Sequence, residues 1–119
     1  MPTSRRLAGP AYLSGTHADI LTGGGGGNLQ IRTVITRIRL ANTDNSAHQV
    51  SIWLGADSGT AGGTELLKTF NVAANTTTEI PCRFTMIWSD YLVGGCDTGS
   101  VVTCTVEGYE IAYKSVNTP

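Results

Sequence analysis

The side chains able to do chemistry in this 119-residue chain are few and widely spaced. His17 and His48 each sit in a polar turn, far from one another, and neither belongs to a spaced metal motif such as H-E-x-x-H. Cys82, Cys96 and Cys104 are too far apart for the C-x₂₋₄-C knuckle of a zinc site. Asp44, Asp57, Asp90 and Asp97 are all flanked by turn residues. Gathered at one end of a fold they would suit calcium, but aspartate is also a routine turn former, and that plainer role is favoured. A serine or cysteine nucleophile needs a base and an orienting acid, and nothing here resembles a nucleophile elbow. Paired glycosidase carboxylates depend on a separation that only the fold sets, and so sparse a charge set argues against them. The expectation is a non-enzymatic protein with no catalytic residues, no metal ligands and no cofactor. Only a histidine brought against carboxylates by the fold would point back to catalysis.

The elements that must carry these residues are short β-strands. Residues 49–54, 76–84 and 101–113 alternate apolar and polar side chains, the pattern of a strand with one buried and one wet face. Residues 29–41 form the longest candidate, with Val34, Ile38 and Leu40 on one parity and Ile31, Ile35, Arg37 and Arg39 on the other, so both faces carry apolar surface. Residues 64–72 read as a strand rather than a helical turn, because Phe70 and Val72 alternate. Pro81 cannot donate to a ladder, so its strand lies at a sheet edge or breaks there. Gly94 to Ser100 reads as a tight loop, and Gly108 marks a bulge in the last strand. Turn signals every 8–12 residues or so predict an all-β fold: a single antiparallel β-sandwich, jelly-roll-like, of about eight strands. Residues 1–10 read as an N-terminal arm, 11–114 as the sandwich domain and 115–119 as a C-terminal tail.

Composition narrows the function classes. Only 14% of residues are charged and net charge is −1, so no global field attracts nucleic acid or an anionic membrane. Arg32, Arg37 and Arg39 form a local basic strip in which Arg32 points away from the other two; a salt-bridged strand face is favoured over phosphate binding. The odd cysteine count argues for thiols held in a reducing compartment, with a Cys96–Cys104 or Cys82–Cys104 bridge as the minority reading. The first residues lack the apolar run of a signal peptide, and no apolar stretch approaches the ~20 residues of a membrane span. The run Gly23 to Gly27 lacks the lysine of a phosphate loop and reads as a hairpin tip, or as a close approach to a neighbouring subunit. Trp53, Trp88 and Tyr91 are candidates for stacking on sugar rings. Tyr109, Ile111 and Tyr113 share a face that reads as core or interface.

The segments Ile38–Asn42 (I-x-L-x-N), Val50–Leu54 and Val106–Glu110 (V-x-G-x-E) carry a resemblance. Over residues 18–113 the chain resembles small β-sandwich virion proteins encoded among the structural genes of tailed bacteriophages. The five glycines replace the proline-glycine turn usual before the long strand in that group. The resemblance implies a particle component, such as a capsid decoration or cement protein, assembled in the host cytoplasm and located in the virion. It implies a homotrimer whose partners are itself and the major capsid protein or another virion protein, with no nucleic acid and no membrane. Arg5, Arg6, Gly23, Gly27, Arg37, Arg39 and Trp53 are then the candidate assembly residues, with Arg5 and Arg6 pairing to acidic groups of a neighbour. The alternative is a glycan- or receptor-binding module of a phage tail or fibre, recognising a host surface glycan through Trp53, Trp88 and Tyr91.

Overall fold

Every described element is a strand. The computed structural model describes residues 4–23, 25–26, 29–55, 65–87 and 90–114. Its strands are β1 (Arg5–Tyr12), β2 (Ala18–Thr22), β3 (Gly25–Gly26), β4 (Leu29–Asn42), β5 (His48–Gly55), β6 (Glu65–Val72), β7 (Thr77–Met86), β8 (Tyr91–Cys96) and β9 (Val102–Lys114). One sheet runs β1-β9-β4, with β7 and the short β3 both on the far side of β4; the other runs β2-β8-β5-β6.

The wiring explains this order. β1 pairs β9, β2 pairs β8, β4 pairs β7 and β5 pairs β6, all antiparallel. The chain is thus one long hairpin with β5 and β6 at its tip. Rolled up, it brings β9 beside β4 and β8 beside β5. That is the double-sheet jelly roll. Between the sheets lie Ile35, Ile38, Leu40, Val50, Ile52, Val72, Met86, Leu92, Val102, Cys104 and Val106, all essentially removed from solvent.

Two faces of β4 become one through a bulge. The register against β9 steps from Ile35↔Gly108 to Arg37↔Glu107, so Thr36 is an extra residue. Inward positions are therefore Thr33 and Ile35 before the bulge, and Ile38 and Leu40 after it. This corrects the simple parity. Val34 faces outward, opposite Tyr109, and is still only 6% exposed. Arg32 shares the outer face with Arg37 and Arg39 instead of opposing them. The bulge expected at Gly108 lies directly across from it, on β4. Gly108 itself is required because a Cβ there would stand 2.0 Å from the Val34 carbonyl oxygen.

Three further expectations change. The residues read as an arm supply β1, laddered to β9 from Arg5 to Tyr12, because Leu7 and Ala8 pack against the core. The loop expected from Gly94 begins only at Asp97: Gly94 and Gly95 continue β8, with the backbone of Thr16 and His17 packed against Gly95. Of the core-or-interface reading of Tyr109 and Ile111, only the core option is removed: both lie on the outer face of β9. Two readings hold: residues 65–72 are a strand, and Pro81 sits on the edge strand β7. All three cysteines are free, and burial pushes the Cys104 thiol up to about 12.

Candidate functional site

Four of the side chains that chemistry would use, Asp44, His48, Cys96 and Asp97, converge at one end of the sandwich, where the turn from β4 to β5 meets the loop from β8 to β9; Asp57 lies outside the described residues. Asn42 ends β4 buried, and its amide nitrogen donates to the carbonyls of Ser46, Val72 and Ala73 at 2.8, 3.1 and 3.2 Å. Its Oδ1 accepts from the Asp44 amide at 2.9 Å. This ties the turn to the end of β6 and points Asp44 at the start of β5. His48, 8% exposed, receives it: Nε2 lies 2.7 Å from Asp44 Oδ2, and Nδ1 lies 2.7 Å from Asp97 Oδ1. Asp97 also accepts from the Gln49 amide through Oδ2 at 3.1 Å, and Cys96 Sγ donates to Asp97 Oδ1 at 3.6 Å.

This is the clustering that would favour catalysis, but its geometry argues otherwise. A general base needs a free lone pair. Here each ring nitrogen faces a carboxylate, and those two hydrogen bonds, to Asp44 first and Asp97 second, raise the His48 pKa above its ordinary 6.5. Two carboxylates that can only accept thus favour the charged ring. The His48 bond in turn lowers Asp44 below 3.8. At Asp97 burial opposes ionisation, yet bonds from His48, Gln49 and Cys96 still hold it below 3.8. Cys96 is pushed up chiefly by burial and stays a thiol. The arrangement is a charge clamp between two loops.

The clamp has a testable signature. The charge on His48 contributes stability fully below pH 6.5 and loses it as pH rises through the elevated folded value. The two aspartates contribute above pH 3.8 and lose it as pH falls through their depressed values. Both conditions hold from about pH 4 to 6.5. The Tm deficit of His48→Gln relative to the native chain should be largest in that window and shrink on the alkaline side. A deficit that is flat from about pH 5 to 9 would show that the ring charge contributes nothing.

Beside the clamp, the outer face of the β2-β8-β5-β6 sheet carries a hollow of about 200 Å³, lined by Thr16, Gln49, Ser51, Trp53, Thr69, Gly95, Cys96 and Asp97. Trp53 stands opposite Val93 on β8, and His17 meets its ring edge-on at 6.2 Å. Gly95 floors the hollow; a Cβ there would meet the Thr16 carbonyl oxygen at 1.8 Å. Tyr91 shares this outer face, opposite Gly55, but stands outside the hollow. Trp88 and Gly27 lie outside the described residues. Of the other candidates, Arg5 reaches Glu110 of its own chain at 2.6 Å, and Arg6 is exposed opposite Glu107. Gly23 donates its amide to the Asp90 carbonyl, and Gly25 and Gly26 form the expected hairpin with Leu29 and Gln30. Arg37 and Arg39 are held between Glu79 and Glu107 at 3.0–3.9 Å, a salt-bridged face as expected.

No protein-family model matches the chain, and no curated protein matches it. Solved structures do. The whole chain superposes on a chain from the structure of infectious bursal disease virus, Gx strain, with a TM-score of 0.57 and 12% identity. It spans 33% of that chain. The likeness is one of fold. A chain from the Gt strain of the same virus is matched over the whole length at 12% identity and a TM-score of 0.45.

Sequence reasoning missed the clamp because Asp97 is 49 positions from His48 and only the rolled hairpin makes them neighbours. The spacing of Asp44 and His48, four positions within one turn, was the only local signal.

Proposed function

We propose that this chain is a non-enzymatic structural component of a virion, a capsid decoration or cement protein of a tailed phage that acts as a homotrimer on the major capsid protein. The observation that carries the reading is the complete jelly-roll wiring, matched along the whole chain to a chain in a virus structure. Jelly rolls recur in viral capsids, although lectins and cupins share them. The outer face supports the reading: Arg37 and Arg39 are neutralised within the chain, while Tyr12 and Ile111 present large apolar side chains to solvent. An apolar groove between the β6 and β7 edges, lined by Ile38, Leu66, Leu67, Ile80 and Phe84, adds surface of the kind that assembly buries.

The test is the mass of the full chain by light scattering, together with its binding to purified particles. The expected outcome is a mass three times the 12.5 kDa chain, and a fixed copy number on particles that open at lower temperature without it. Particles that neither bind the chain nor lose stability in its absence would overturn the role.

The Trp53 hollow favours a second reading, a module that recognises a host surface glycan. An aromatic ring beside Gln49, Thr69 and the Asp97 carboxylate is the chemistry that binds a sugar. A saturable change in tryptophan fluorescence on sugar titration, lost in Trp53→Ala, is expected on this reading; no change with any sugar removes it.

A further inference from the structure

We propose that the charge clamp doubles as a site for a divalent cation of the zinc class, held by His48 Nδ1, Cys96 Sγ and Asp97 Oδ1. One ligand atom from each of these three residues lies within 4.8 Å of the others. A tetrahedral zinc site with these donors needs separations of roughly 3.3–3.5 Å between ligand atoms. The nitrogen–oxygen pair here stands at 2.7 Å and the sulfur–oxygen pair at 3.6 Å. A cation therefore needs movements of less than an ångström in the two measured pairs.

Three further features fit. The donors are an imidazole, a thiol and a carboxylate, a set that selects zinc-like metals over the hard cations, which take oxygen alone. His48 is oriented from behind, since Asp44 Oδ2 holds Nε2 at 2.7 Å and leaves Nδ1 facing the other ligands. That is the outer carboxylate that zinc-bound histidines commonly use to fix the ring. Cys96 and Asp97 also line the Trp53 hollow, so a fourth position is open to water or to a ligand oxygen. On binding, the proton between Nδ1 and Asp97 and the proton on Cys96 both pass to solvent, and the thiolate forms only on the metal. The cation would join the start of β5 to the end of β8, stapling the loops that the proton now joins. The cation site would exist whether or not the chain is part of a virion.

Cobalt(II) titrated into the reduced, chelator-stripped full chain tests it. The expected result is one equivalent bound, with a near-ultraviolet sulfur-to-cobalt charge-transfer band and the visible bands of a four-coordinate site, all displaced by zinc. Cys96→Ser should lose the charge-transfer band, and Cys82→Ser should keep it. Asp44→Asn should keep the band but weaken binding about 10- to 100-fold. The absence of the band in the native chain, or its loss in Cys82→Ser, overturns the site. So does its persistence in Cys96→Ser, with folding of each variant checked by circular dichroism.

Discussion

Replacing Gly108 with alanine is expected to cost about 3 kcal/mol or more, lowering Tm by roughly 15 °C in a domain of this size. The new methyl carbon would stand 2.0 Å from the Val34 oxygen, 3.0 Å from its carbonyl carbon and 3.1 Å from Ile35 Cα. All three are backbone atoms of β4, which is held by β9 on one side and β7 on the other. Relief requires moving the central strand at the bulge where its inward face changes phase, so Ile35 and Ile38 would lose their places in the core together. Gly94→Ala supplies the contrast. Its methyl would meet the Ile20 Cδ1 atom at 2.5 Å, the far end of a side chain that can rotate away. Thermal melts of the two variants should separate clearly, with Gly108→Ala much the lower. Equal melting points would mean that β4 yields as easily as a side chain.

Asn42→Ala is expected to cost about 2–4 kcal/mol, measured by urea denaturation. Its amide serves the carbonyls of Ser46, Val72 and Ala73, and its oxygen serves the Asp44 amide. Alanine leaves several of these partners without their donor or acceptor in a place where water enters poorly. Asn42→Asp should be at least as damaging, because it sets a carboxylate oxygen against three carbonyl oxygens. The loss should reach beyond stability. The turn that Asn42 holds is the one that presents Asp44 to His48, so the variant should also blunt the pH signature of the clamp. A variant as stable as the native chain in urea would show that water replaces the amide at no cost.

Together these two residues show what the I-x-L-x-N and V-x-G-x-E patterns are for. In the first, Ile38 and Leu40 fill the core and Asn42 fastens the turn. In the second, Val106 faces inward, Gly108 admits the Val34 carbonyl and Glu110 pairs with Arg5 of β1. Both patterns are accounted for by packing and hydrogen bonding within one domain, without any demand from catalysis.

What the sequence determined by itself is most of the strands, the edge position of Pro81 and the antiparallel sandwich. Each of these follows from neighbours a few residues apart. Period-two alternation needs only a local face, and proline lacks its donor wherever it stands. Tertiary structure alone decided the rest. The bulge at Thr36 moved Val34 and Arg32 to the outer face, and no local pattern marks it, because the extra residue is defined only against β9. Arg5 found Glu110 within its own chain because β1 lies along β9, and a segment read in isolation shows no such partner. The joining of Asp44, His48, Cys96 and Asp97 belongs to the same class. Two turns at opposite ends of a long hairpin become one site only when the hairpin is rolled, and the core that rolls it is spread over the whole chain.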